Sequence, residues 1–151
     1  MRAQVRISGK QLGELALSNY CPRCFWLKLQ MGNRLPFGLF PGIFSTLDAF
    51  TKSIVSRWFD RHRCPPPWLT QLGDFVSYIE PPHFSKFNFV DQDQQILLTG
   101  APDGIFVARD GSLMILDYKT AKFSDRQDAL YPLYEAQLNA YRVIAEHCGL
   151  R

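Results

Sequence analysis

The chain has 151 residues, with 17 Lys and Arg against 14 Asp and Glu, and a net charge of +3. That length suits one domain with its own core, and the slight positive excess tilts the choice of partner toward a polyanion such as nucleic acid. No apolar run is long enough to cross a bilayer and residues 1–4 do not open a signal peptide, so a cytoplasmic protein with no membrane partner is the expectation.

In chain order, Ser8-Gly-Lys-Gln11 has the spacing of a capping box and predicts a helical stretch from residue 8 to about 31, broken at Pro22. Gly, Pro and Asn predict a loop over 32–42. Ser45-Thr-Leu-Asp48 reads as a second capping box, opening a helix through Ile54, Val55, Trp58 and Phe59. That helix must stop before Cys64, because Pro65, Pro66 and Pro67 follow. The period then changes, and residues 75–80, 84–90 and 95–99 predict strands separated by Pro-Pro and Asp-Gln-Asp turns. An apolar hairpin follows over 98–120, then a charged loop over 121–128. A last helix starts near Pro132 and runs toward Cys148-Gly149. Helices, antiparallel strands and a helix in that order predict an α/β sandwich around a mostly antiparallel meander. The expectation is one domain over 1–151, helical to about residue 70 and built of sheet and helix from 71 onward.

The hairpin carries the chemistry. Arg109-Asp110-Gly111 fits a three-residue loop whose last residue takes the left-handed conformation, which favours Gly. In that register Ala108 faces Ser112 and, further out, Asp103 faces Asp117, with Lys119 on the same face. A two-residue loop would shift the register by one and part the two aspartates. Paired carboxylates on a half-buried face are costly unless positive charge lies between them. Lys119 is one such charge; a divalent cation answers both carboxylates better, and hard oxygen ligands suit Mg²⁺ or Mn²⁺. The competing reading makes Asp103 a turn residue after Pro102 and leaves Asp117 and Lys119 as ordinary strand-end charges.

On the last helix Gln137 and Tyr141 lie one turn apart, and Ile144 and Cys148 continue the stripe. An amide and a phenol thus end an apolar face, either as site residues or as a core tyrosine beside a solvated glutamine.

Pro102-Asp103, Asp117-Tyr118-Lys119, and Gln137 with Tyr141 in QLNAY together resemble the PD-(D/E)xK nuclease superfamily in its RecB-like and Cas4-like branch. Gly100, Thr120 and CPRCFWLK at Cys21 are similar to that branch too, so the resemblance runs from about Cys21 to Tyr141. It implies a restriction-endonuclease-like core, a central mixed and mostly antiparallel sheet flanked by helices, and metal-dependent hydrolysis of DNA, exonuclease-like on ends or single strands. By position, it implies that Asp103, Asp117 and the Tyr118 carbonyl ligate Mg²⁺ or Mn²⁺ and that Lys119 orients or activates the attacking water. Gln137 would hold Lys119 or substrate, and Tyr141 would support the site or touch DNA.

The family's further metal-facing residue, from an early helix, would here be Asp48, which also has its capping-box explanation. Branch members with an iron–sulfur cluster use one early cysteine and three late ones. Cys21 and Cys24 have no such late trio, so neither a cluster nor zinc is expected and buried free thiols are the better reading. The family's last strand has no counterpart after the QxxxY helix. Lys119, Lys122 and Arg126, with Lys52, Arg57, Arg61, His62 and Arg63, are candidates for phosphate contacts, the second group also reading as a solvated helix face. Trp68, Phe84, Phe87 and Phe123 are candidates for stacking on single strands. The alternative to an active enzyme is a degenerate nuclease fold that binds nucleic acid or a processing complex without cutting.

Overall fold

A computed structural model describes residues 4–32, 42–119 and 125–150. In chain order they form β1 (Val5–Ser8), α1 (Gly9–Glu14), α2 (Pro22–Gln30), α3 (Gly42–His62), β2 (Phe75–Ile79), β3 (Asn88–Asp91), β4 (Ile96–Thr99), β5 (Gly104–Ala108), β6 (Leu113–Leu116) and α4 (Tyr131–His147), with 3₁₀ turns at Pro67–Leu72 and Asp125–Leu130. Among these residues no helix is long and apolar enough to cross a membrane.

The first capping box forms as expected. Ser8 Oγ accepts from the Gln11 amide at 3.2 Å, and Gln11 Oε1 accepts from the Ser8 amide at 2.9 Å. Ser8 also ends a strand that the sequence does not announce, because four residues with only Ile7 buried give too short a period to stand out. That strand, β1, runs parallel to β4, from Val5 opposite Ile96 to Ser8 opposite Thr99.

The second capping box does not form. Helix α3 starts at Gly42, and Ser45 Oγ donates to the Gly42 carbonyl at 2.7 Å instead of accepting at a helix start. Asp48 is therefore an interior helical residue, free to face Lys52 one turn on. The expected stop before the prolines is met, with Arg63 at φ +55°.

Two three-stranded sheets stand where one was expected: a mixed sheet in the order β1-β4-β3 and an antiparallel one in the order β2-β5-β6. The strand expected over 84–90 shrinks to Asn88–Asp91, since the amides of Lys86 and Phe87 turn back to the His83 carbonyl at 2.7 and 3.0 Å. The β5–β6 hairpin keeps the expected register: Gly104 pairs with Leu116 and Val107 with Leu113. Its loop closes through Ala108 N to Ser112 O at 2.9 Å and Gly111 N to Ala108 O at 3.0 Å, with Gly111 at φ +86°.

One core cluster, around Phe87, Leu98, Tyr141 and Ile144, packs α4 on the first sheet; the other, around Val55, Phe59, Phe75 and Phe106, packs α3 on the second. Phe87 is fully buried and leaves the set of stacking candidates, whereas Trp68 and Phe84 stay about half exposed; Phe123 lies outside the described residues. The cysteines reverse the expectation of buried thiols, since all four are exposed. Cys21 immediately precedes α2 without a side-chain cap, Cys24 lies in its first turn, and α2 buries none of its residues.

Candidate active site

The regular ladder ends at Gly104 and Leu116, and just before it the Asp103 amide donates to the Leu116 carbonyl at 2.9 Å, one residue out of the hairpin register. Asp103 Oδ2 then accepts from the Tyr118 amide at 2.5 Å, which aims the carboxylate across the hairpin toward the Asp117 strand. Both aspartates are nearly buried, with side chains 9% and 11% exposed. Burial raises the Asp103 pKa above the usual carboxylate value; Lys52 opposes this and the Asp117 charge adds to it.

Helix α4 faces the hairpin with Gln137, buried at 3% exposure. Its Oε1 accepts from Lys119 Nζ at 3.3 Å, and its Nε2 donates to Asp117 Oδ1 at 3.3 Å and to the Tyr141 hydroxyl at 2.8 Å. Lys119 also ion-pairs directly with Asp117 Oδ2. The Lys119 ammonium lies 4.9 Å from the centre of the Tyr134 ring, a cation–π contact. Burial pushes the Tyr141 phenol up, so it stays protonated at neutral pH. Sequence reasoning misses Tyr134, although its place one turn before Gln137 puts it on the same face.

Lys52 is paired with two carboxylates of the site. Its Nζ lies 2.7 Å from Asp103 Oδ1 and 2.8 Å from Asp48 Oδ2, bridging the two carboxylates. Burial works against its charge, but the hydrogen bonds to Asp103 and Asp48 prevail and raise its pKa. Asp48 thus reaches the site through Lys52, and the Asp48, Asp103 and Asp117 carboxylates form no common ligand group. Arg57 is exposed, its Nε donating to the Ser53 carbonyl. Lys122 lies outside the described residues, as does the side chain of Arg126. Beside the carboxylates opens a cleft of ≈ 730 Å³ whose lining includes Lys52, Ser56, Tyr78, His83, Phe84 and Asp103.

Two nearly buried carboxylates, a lysine paired with one of them and a buried amide joining that lysine to that carboxylate thus meet at one end of the hairpin. A comparison with protein families matches the PD-(D/E)XK nuclease superfamily over residues 20–150. The chain belongs to the PD-(D/E)XK nuclease superfamily. Comparisons with curated proteins and with solved structures gave no match.

PD-(D/E)XK nucleases typically use divalent metals such as Mg²⁺, and the residues present fit such an ion. Two nearly buried carboxylates and a neighbouring carbonyl are hard oxygen donors of the kind such an ion takes. Mg²⁺ commonly takes one or two carboxylates and keeps waters for the rest, so the lack of a third side-chain ligand among the described residues does not spoil the fit. The exposed cysteines join no such ligand group either.

Proposed function

We propose that this PD-(D/E)XK protein is an active, Mg²⁺- or Mn²⁺-dependent nuclease of the RecB-like and Cas4-like branch. It hydrolyses DNA phosphodiester bonds in the cytoplasm, exonuclease-like, on ends or single strands. The observation that carries this reading is the pair of nearly buried carboxylates, Asp103 and Asp117, with Asp117 tied to Lys119 both directly and through Gln137. Burying two carboxylates is costly, and Lys52 and Lys119 offset part of that cost by pairing with Asp103 and Asp117.

Asp103, Asp117 and the Tyr118 carbonyl would hold the ion, which would supply Lewis-acid chemistry toward the phosphate and the attacking water. Tyr118 N fixes the Asp103 carboxylate by its hydrogen bond to Oδ2. Lys119 presents its ammonium on the same side of the hairpin, where it positions the water and counters charge growing on the phosphate. Gln137 fixes Lys119 and Asp117 relative to each other, and Tyr141 fixes Gln137. The adjoining cleft has the size of a small-ligand pocket, which suits unpaired nucleotides of a strand end better than the flank of a duplex.

The test is cleavage of end-labelled single- and double-stranded DNA with Mg²⁺ or Mn²⁺ by the unaltered protein and by Asp117→Ala and Lys119→Ala. Metal-dependent cutting that both substitutions abolish supports the reading, and the preferred substrate reports strand preference. A second reading, a degenerate fold that binds nucleic acid without cutting, is favoured by the Lys52 ammonium lying between Asp48 and Asp103. DNA bound but left intact by the unaltered protein would select it.

A further inference from the structure

Lys52 is a second cation in the site besides Lys119, and it sits on the oxygen that an incoming ion needs. Both oxygens of Asp103 are engaged: Oδ1 by Lys52 Nζ at 2.7 Å and Oδ2 by the Tyr118 amide at 2.5 Å. The Tyr118 amide belongs to the backbone and cannot leave, whereas the ammonium rides on a flexible stem of four carbons. An ion bound to Asp103 would share Oδ1 with a positive charge, and like charges at that range in a half-buried site repel strongly. Lys52 therefore has to yield when the ion arrives.

The structure also shows where the ammonium can go. Lys52 stays within reach of Asp48 on its own helix, at 2.8 Å, and it lines the cleft with Ser53 and Ser56 from the same helix. The cleft lining also carries the exposed carboxylates Asp60 and Glu80, so a released ammonium keeps acidic neighbours, and a strand phosphate entering the cleft gives it a partner of the required charge.

We propose that Lys52 couples the two occupants of the site: it neutralises Asp103 while the ion is absent, and on ion binding it moves to a phosphate of a strand in the cleft. Metal and strand then strengthen each other's binding, and by linkage the effect is equal in both directions. This inference rests on the nuclease reading for the identity of the strand, but its readout is binding and not cleavage. Lys52 acts here as a positioning residue, and its opposing charge keeps the metal affinity of the strand-free protein low.

The test is calorimetric titration of the full chain with Mn²⁺ alone, then with Mn²⁺ in the presence of a saturating single-stranded phosphorothioate oligonucleotide. For the unaltered protein the oligonucleotide should tighten Mn²⁺ binding several-fold, within the range of ~5- to 150-fold typical of coupled sites. Lys52→Met should bind Mn²⁺ alone more tightly, by about tenfold, and the oligonucleotide should then add little. Lys52→Gln serves as the second variant should the methionine disturb the fold, and Lys52→Arg, which keeps the charge, should behave like the unaltered protein. Equal Mn²⁺ affinity in the unaltered protein, Lys52→Met and Lys52→Gln overturns the proposal, as does an absence of Mn²⁺ binding at millimolar concentration in all of them. If the coupling appears while no DNA is cut, the nuclease reading fails and the role of Lys52 stands. Cleavage without the coupling has the reverse meaning.

Discussion

Gln137 holds Lys119: its Oε1 accepts from the Lys119 ammonium at 3.3 Å while its Nε2 donates to Asp117 Oδ1, also at 3.3 Å. The amide is suited to this because it offers an acceptor to the cation and a donor to the anion from one planar group. A carboxylate in its place would set a like charge against Asp117, and an apolar side chain would leave both partners unguided.

Gln137→Ala should therefore lower kcat by roughly 10- to 100-fold, the range seen when groups that orient ligands are lost. Mn²⁺ affinity should fall far less than for Asp117→Ala. Gln137→Glu should be no better than Gln137→Ala, because it removes the donor that faces Asp117. Steady-state cleavage kinetics beside metal titrations would separate these effects, and an unchanged kcat in Gln137→Ala would remove Gln137 from the working site.

The raised pKa of Asp103 predicts a pH dependence in the metal-free protein. A carboxyl that holds its proton more tightly folded than unfolded favours the folded state while protonated. Stability from this group thus falls as pH rises from the ordinary carboxylate value of 3.8 through the raised folded value. Asp103→Asn, which mimics the neutral form, should flatten that part of the profile and melt higher than the unaltered protein at neutral pH in EDTA, while losing activity. Thermal melts across the acid range would check it. A lower melting temperature for Asp103→Asn at neutral pH would mean that the Lys52 pairing outweighs the burial of the charge.

The Tyr118 hydroxyl is buried without a hydrogen-bond partner, and burial pushes its pKa up to about 12. Its ring packs against the Phe59–Phe106 cluster, on the opposite side of the strand from its neighbours Asp117 and Lys119. Tyr118→Phe removes the unsatisfied group and keeps the packing, so it should stabilise by about 1 kcal/mol and raise the melting temperature by roughly 2–4 °C. Cleavage should be unaffected, because the proposed ligand at this position is the backbone carbonyl.

Gly13 lies where α1 meets α4. A Cβ there would stand 2.4 Å from the Leu133 carbonyl oxygen, a contact that only backbone movement relieves. Gly13→Ala should destabilise by about 1–3 kcal/mol, the usual range for overpacking, by forcing α1 away from α4. Chemical denaturation would measure this, and Gly42→Ala, where a Cβ meets nothing within 4 Å, is the matched control expected to be near neutral or mildly stabilising.

Much of the hairpin is legible in the sequence. The position of Gly111 fixes a short loop, and the loop fixes the register from Val107 opposite Leu113 to Gly104 opposite Leu116, which brings the segments of Asp103 and Asp117 together at its end. Gln137 and Tyr141 are legible for the same kind of reason, since residues one turn apart on a helix share a face. Other elements are not. Strand β1 gives only four residues of pattern, and the strand expected over 84–90 loses its first half to a turn around His83. At Ser45 the spacing of a capping box is present but no cap forms, because the helix has already begun at Gly42. The same spacing hides the role of Lys52, since it assigns Asp48 to a helix start and not to an ion pair one turn on.

What the sequence by itself determined is local: turn chemistry, side-chain period and helical spacing act over a few residues, and they set which groups share a face. Only the tertiary structure decided that α3 brings Lys52 and Asp48 to the Asp103 end of the hairpin, and that α4 lays Tyr134 and Gln137 over its Lys119 end. These contacts join elements far apart in the chain. They are set by burying α3 against one sheet and α4 against the other, and hydrophobic burial carries no signature of which charged groups will meet at the edge of the core it closes.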